Sequence, residues 1–186
     1  RSPSRGLGDV YKRQEDTFFY THPGIDIGSI RRSFKANLRA GYIKGGASTI
    51  TQQVVKLAFL TQKKSYLRKI REVFGALILE LLLTKNEILA WYLNLAYFGN
   101  GIIGIKDASE TYFSSKAKDL NLINSIQLAL VLPRPNSHGK QLERKNLQRS
   151  TQIKFYTILK ELRNKKLISS LQWSNALATG NFGKPI

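Results

Sequence analysis

The stretch EDTFFYTHPGID, Glu15–Asp26, packs acids, aromatics, a histidine and a glycine into an order that no regular helix pattern requires. A carboxylate flanked by Phe18 and Phe19 is partly desolvated, which lifts its pKa toward that of a working general base. The same stretch also reads as a surface turn, with Asp26 capping the helix that follows. A second cluster is GGASTITQQVVK, Gly45–Lys56. On a helix Thr49, Gln53 and Lys56 stand at i, i+4 and i+7, a polar stripe opposite apolar neighbours. Hydroxyl, amide and ammonium on one face suit a sugar–phosphate ligand. Free N–H groups at a helix start after Gly46 favour an anion too. A solvated helix face would look the same. In the third cluster Lys63–Lys64 precede Arg68-Lys69-x-x-Glu72. Both Arg68 and Lys69 lie within helical reach of Glu72. They make either a cationic pocket for a leaving phosphate or ordinary surface ion pairs, which are worth about 0.3–0.5 kcal/mol each.

The elements that must position these groups read as almost entirely helical. Ile27–Ala40 is apolar and basic with helical spacing, and Ser48–Leu60 is a second helix with Ser48 as its cap. Ser65–Leu83 repeats Leu67, Ile70, Phe74, Leu77, Ile78 and Leu81 at a helical period. Thr84-x-x-Glu87 is a capping-box pattern that starts a helix running through Phe98, stopped by Gly99–Asn100–Gly101. Asn121 caps an apolar helix through Leu132, which Pro133 and Pro135 end. A long basic helix is expected over Gln141–Lys166, and Ser169-x-x-Gln172 offers a last cap. The spacing predicts no strand and no repeat, and Pro133–Lys140, which contains His138, reads as a linker.

Length and composition bound the possibilities. At 186 residues and 42% hydrophobic the chain fits one domain with a real core. It contains no Cys, which excludes disulfide scaffolds, thiolate zinc sites and cysteine nucleophiles. His22 and His138 are too few for a histidine-rich metal site, so no metal ligands are assigned. With 30 Lys+Arg against 12 Asp+Glu, the net charge of +18 calls for a polyanionic partner: nucleic acid, a phosphate-bearing substrate or an anionic membrane. Residues 1–14, RSPSRGLGDVYKRQ, lack an apolar period, and DVYKRQ resembles the translated reading of a sequencing-library adapter. They are expected to be non-native, with the functional domain at 15–186. Setting aside their four basic residues and one acidic residue leaves +15. The longest apolar stretch, Val73–Leu83, contains Glu80 and is shorter than the ~20 residues that cross a bilayer.

Taken together the clusters resemble the peptidoglycan glycosyltransferases of family 51, the glycan-polymerising domain of class A penicillin-binding proteins and of monofunctional transglycosylases. EDTFFYTHPGID matches the family's first motif, ED-x-x-F-x-x-H-x-G-x-D, at every defined position. GASTITQQ (Gly46–Gln53) is similar to the second and RKIRE (Arg68–Glu72) to the third. KNEILAWYLN (Lys85–Asn94) with Tyr97-Phe98-Gly99 resembles the fourth, and LALVLPRP (Leu128–Pro135) more loosely the fifth. The resemblance runs from Glu15 to about Ala178.

What the resemblance implies is a mainly α, lysozyme-like large lobe with a small membrane-associated jaw between the first and third motifs. Phe34, Leu38, Tyr42 and Ile43 would then dip into lipid headgroups, although Phe34 and Leu38 read equally well as core. It implies lipid II polymerisation by attack of an acceptor GlcNAc 4-hydroxyl on the donor's terminal MurNAc C1. The anomeric centre is inverted, a β-1,4 link forms and undecaprenyl pyrophosphate leaves. Glu15 matches the general base and Glu72 the second essential glutamate. Asp16, Thr49, Gln53, Lys56, Lys64, Arg68 and Lys69 match substrate-cleft positions, Lys64 standing where the family commonly has Arg. No cofactor is required by this chemistry, with Mg²⁺ or Mn²⁺ sharing the pyrophosphate charge in some members. The implied partners are lipid II, the growing glycan chain, an anionic membrane surface and other cell-wall synthesis proteins. The implied place is the extracytoplasmic, periplasmic face of the bacterial inner membrane, with a native N-terminal anchor outside this chain. Two rival readings are a lytic, lysozyme-like glycan-cleaving enzyme and a basic helical nucleic-acid binder. The first needs no Lys/Arg cluster, because its leaving group is a sugar. The second needs no ED-x-x-F-x-x-H cluster, and no nucleic-acid-binding motif is present.

Overall fold

A computed structural model describes residues 16, 18–42, 48–61 and 65–179. Among these the chain is mainly α: nine α-helices, one two-stranded hairpin and a single 3-10 turn. Backbone proximity divides it between Leu95 and Ala96 into two compact units. No helix among the described residues is long and apolar enough to cross a membrane.

The unit that ends at Leu95 holds α1 (Ile27–Ala40), α2 (Ile50–Phe59), α3 (Tyr66–Leu82) and α4 (Lys85–Leu95). Asp26 caps α1, accepting from the Ser29 amide at 2.7 Å and the Ser29 hydroxyl at 2.5 Å. These bonds, the hydroxyl's foremost, hold its carboxyl below the usual range. Helix α1 buries none of its residues, and Phe34 and Leu38 are 68% and 73% exposed. The reading of those two as core is therefore wrong; Ile43 lies outside the described residues. Helix α2 packs on both α3 and α4, and Ile50, Val54 and Val55 form its buried face. It begins one residue later than expected, because Thr49 and not Ser48 is the cap. In α3 the apolar period points outward: Leu67, Ile70, Phe74 and Leu81 are exposed, while Glu72 and Ala76 are buried. The small residues Gly75 and Ala76 let α2 approach, so the close-packed side of α3 is its small-residue side and not its greasy one. Thr84 and Glu87 form the expected box at the start of α4, with the Thr84 amide 2.8 Å from Glu87 Oε2.

The second unit, from Ala96 on, opens with a hairpin that the sequence reading missed. Strands β1 (Tyr97–Gly99) and β2 (Ile102–Ile103) pair antiparallel, so α4 stops at Leu95 and does not reach Phe98. Asn100 and Gly101 both take positive φ at the turn, which ends the helix with turn geometry. Then follow α5 (Ile105–Phe113), the 3-10 turn (Ala117–Asp119), α6 (Leu122–Val131), α7 (Pro135–Glu143), α8 (Arg149–Asn164) and α9 (Ser170–Thr179). Capped by Asn121, whose side chain accepts from the Asn124 amide at 2.9 Å, α6 is buried on nearly all sides, as its unbroken apolar run requires. It packs on α7, α8 and α9. The expected linker Pro133–Lys140 is instead the start of α7. Pro135 sits in its first turn, where the missing N–H costs nothing.

The single long helix expected over Gln141–Lys166 is broken, with α7 ending at Glu143 and α8 starting at Arg149. Neither Gly nor Pro marks the break. Lys145 takes φ +51°, and the buried Gln141 carboxamide accepts from the Gln148 amide at 3.1 Å and the Thr151 hydroxyl at 3.0 Å. A side chain from one helix thus satisfies the first donors of the next. Ser169 and Gln172 cap α9 reciprocally, as expected.

His138, placed in a loop by the sequence reading, lies on α7 and is buried. Its Nδ1 sits 2.5 Å from the Leu130 carbonyl, so that nitrogen carries the proton. Burial holds the imidazole below its usual value of about 6.5, and Lys154 and Arg134 push the same way against the raising effect of Leu130. Below about pH 6.5 the unfolded chain takes up a proton that the folded one refuses, so stability falls as pH falls. Urea unfolding should give a smaller free energy at pH 5 than at pH 7, and His138→Gln should flatten that difference.

Gly99 has φ +91°, and a Cβ there would lie 2.2 Å from the Pro135 carbonyl oxygen. Only a residue without a side chain lets β1 meet the start of α7. Gly99→Ala should cost roughly 3 kcal/mol or more, read as a lower urea midpoint at unchanged slope.

Candidate active site

The site residues that the structure describes converge on the start of α2, all within the unit that ends at Leu95. Asp16 is buried. Both its carboxylate oxygens lie 2.9 Å from His22 Nε2, and Oδ2 also accepts from the Ile50 amide at 3.1 Å. The expectation that free N–H groups at this helix start await an anion is thereby corrected at Ile50, where the protein's own carboxylate occupies the position. His22 Nε2 donates to Asp16, and its buried Nδ1 has no hydrogen-bond partner among the described residues.

Thr49 is buried at the cap and does not share an open stripe with Gln53 and Lys56. Its hydroxyl donates to the Gly24 carbonyl at 2.6 Å and accepts from the Gln52 amide at 3.2 Å. The Gln52 carboxamide returns to the Thr49 amide at 3.1 Å, completing a capping box. Gln53 and Lys56 follow on α2, both half-buried.

The third cluster is no surface ion pair. The Glu72 side chain is 4% exposed, with Lys69 Nζ 2.9 Å from Oε2 and Arg68 Nε 3.1 Å from Oε1. The Arg68 contact is electrostatic only, since its N–H is not aimed at the oxygen as a hydrogen bond requires. Lys69 also donates to Ser48 Oγ at 2.9 Å, which ties this cluster to the residue just before α2. Glu15 and Lys64 lie outside the described residues.

Three residues escaped the sequence reading as site residues. Lys85 Nζ donates to the His22 carbonyl at 2.7 Å and pairs with Glu80 Oε1 at 2.7 Å. The same Glu80 oxygen accepts from the Thr51 hydroxyl at 2.5 Å. Lys85 was quoted only as the first residue of a motif, and nothing in its spacing brings it to His22, 63 positions earlier.

Chemically this is a basic helical domain in which a buried carboxylate is clamped by two cations, an arrangement suited to an anionic leaving group. The family model described as Transglycosylase matches residues 4–162, and the chain belongs to that family. It is 42% identical over 134 residues to a biosynthetic peptidoglycan transglycosylase of Alcanivorax borkumensis, a match covering 70% of this chain and 55% of the relative. A protein of the same name from Thiobacillus denitrificans is 36% identical over 75% of this chain and 62% of its own length. Penicillin-binding protein 1A of Pseudomonas aeruginosa is 40% identical over 74% of this chain but only 16% of its own length. The chain therefore spans a little over half of the shorter relatives and a small part of the longest.

Asp16→Ala removes the acceptor of two buried donors, the His22 ring and the Ile50 amide, and should cost about 2–4 kcal/mol in denaturant unfolding. His22→Phe in the same chain should add less than its single cost, because the two side chains serve one interaction.

Proposed function

We propose that this chain is a peptidoglycan glycosyltransferase domain that polymerises lipid II. The observation that carries the reading is Glu72, buried with Arg68 and Lys69 on its two oxygens, in a chain of the transglycosylase family. A sugar leaving group has no use for such cations. A pyrophosphate does, because negative charge grows on its oxygens as the glycosidic carbon departs. The acceptor's GlcNAc 4-hydroxyl attacks MurNAc C1 of the donor, Glu15 takes the hydroxyl proton, and undecaprenyl pyrophosphate leaves with inversion to a β-1,4 link. Glu72 holds Arg68 and Lys69 toward the departing oxygens. Lys64, Gln53 and Lys56 contact substrate, while Asp16 and Thr49 act by holding the start of α2 and the loop after Glu15.

Among the described residues no three His, Cys, Asp or Glu side chains gather as metal ligands.

We assign α1 to the membrane-associated jaw of a lysozyme-like fold. Its exposed Ile27, Phe34 and Leu38 alternate with Arg31, Arg32, Lys35 and Arg39, a composition that rests at an anionic headgroup layer. The place of action is then the extracytoplasmic face of the bacterial cytoplasmic membrane, beside other wall-synthesis proteins.

The test is glycan formation from purified lipid II in detergent. The wild-type chain should give polymer and Glu15→Gln none. Glu72→Gln should lower kcat about 100- to 1,000-fold, as loss of a charge-stabilising group does. A wild-type chain silent on lipid II would overturn the assignment.

A further inference from the structure

Lys85 carries more bonds than the start of a helix needs. Its side chain is 19% exposed, and the half-buried Glu80 carboxylate lies beside it. The ammonium donates to the His22 carbonyl and to Glu80 Oε1, and lies 4.6 Å from the centre of the Phe19 ring. Each of these three partners is a different kind of electron-rich group: a backbone dipole, a carboxylate and an aromatic face. Glu80 is in turn held by Thr51 on α2. Residues 18–21 turn tightly, with the Phe19 amide donating to the Asp16 carbonyl and the Thr21 amide to the Phe18 carbonyl. Besides the Tyr20 hydroxyl on Asn86 and the Ile50 amide on Asp16, two of the turn's anchors meet at His22: the imidazole on Asp16, and the backbone carbonyl on Lys85.

We propose that Lys85, oriented by Glu80, is a positioning residue for the glutamate that precedes Asp16 in the chain. The inference rests on the glycosyltransferase reading of Glu15. Lys85 touches no reacting atom. It holds the His22 backbone, and the His22 imidazole holds Asp16, the residue that follows Glu15 in the chain. A misplacement of the order of 1 Å at a reacting group costs about 100-fold in rate. Removing the ammonium should therefore lower kcat and leave the KM for lipid II nearly unchanged, because the substrate contacts are elsewhere.

The chain has no cysteine, so Lys85→Cys introduces a single thiol. Alkylation with 2-bromoethylamine joins an aminoethyl group to that sulfur, bromide leaves, and a side chain of lysine length and charge is restored. Alkylation with 1-bromopropane gives the same length without charge. Lys85→Cys should show kcat reduced roughly 10- to 100-fold with KM changed less than threefold. Aminoethylation should restore most of the rate and propylation none. Equal rescue by the neutral group, or an unreduced kcat in Lys85→Cys, would overturn the proposal. Should this variant not fold, Glu80→Gln keeps the volume and removes the charge that orients Lys85. It should lower kcat at constant KM, and an unchanged kcat would overturn the proposal equally.

Amide hydrogen exchange over residues 18–24 separates this inference from the function on which it rests. If the wild-type chain makes no glycan, the assignment of Glu15 fails. Faster exchange in the propylated protein than in the aminoethylated one would still establish Lys85 as an anchor of the turn. Equal exchange in the two would sink that anchor as well.

Discussion

Four consecutive residues at the start of α2 bond to two other segments, the stretch before α1 and helix α3, and the site depends on that. Ser48 accepts from Lys69 on α3, Thr49 donates to the Gly24 carbonyl, the Ile50 amide donates to Asp16, and Thr51 donates to Glu80. A helix N-terminus has donors that no residue of the helix can satisfy. Here one of them takes the Asp16 carboxylate and the Thr49 cap takes another, and the flanking hydroxyls reach outward. The end of the helix thereby becomes the junction where the acidic loop and the Glu72 cluster are held at fixed separation. The Asp16 carboxylate at this end also meets the positive pole of the helix.

Asp16, buried, and Glu80, half-buried, serve this junction in opposite ways. Asp16 has two N–H donors, an imidazole and a backbone amide. Glu80 faces an ammonium directly, and its Thr51 bond merely orients it. Breaking the first would leave donors without an acceptor. Breaking the second would leave a charge without its partner. The loop from Asp16 to Gly24 is thus clamped by one interaction that is mostly hydrogen bonding and one that is mostly charge.

Local signals carried the reading of the helices. Asp26, Ser65, Thr84, Asn121 and Ser169 are all short polar residues just before apolar runs, and each does start a helix. The misses share a cause, which is that long-range partners decided them. Gln141 stops one helix and starts another through its carboxamide, and no residue between Arg144 and Gln148 is a breaker by type. The hairpin at Tyr97–Ile103 depends on Gly99 meeting Pro135, a contact 36 positions away in sequence. Pro135 reads as a stop signal in sequence and acts as a start signal in space. At the site, Asp16, Thr49, Arg68, Lys69 and Glu72 were singled out by type and spacing, which did not show that Thr49 is a buried cap or that Glu72 is out of water. Lys85 was not, because a lysine in the first turn of a helix looks like any other until the His22 carbonyl is found beside it.

The same distinction explains why Glu72 is informative where the overall charge is not. A chain at +18 offers cations everywhere, and most of them are solvated and interchangeable. Arg68 and Lys69 differ because they are spent on a carboxylate that is itself out of water. Two cations and one anion leave the cluster net positive, and the anion fixes both of them before any ligand arrives. An incoming diphosphate then meets charge that is already oriented, so little reorganisation is needed when its bond to carbon breaks. A lone pair of lysines on the surface would give the same attraction at a distance, screened by salt and free to rotate. In the proposed reaction the buried glutamate converts general basicity into a directed site.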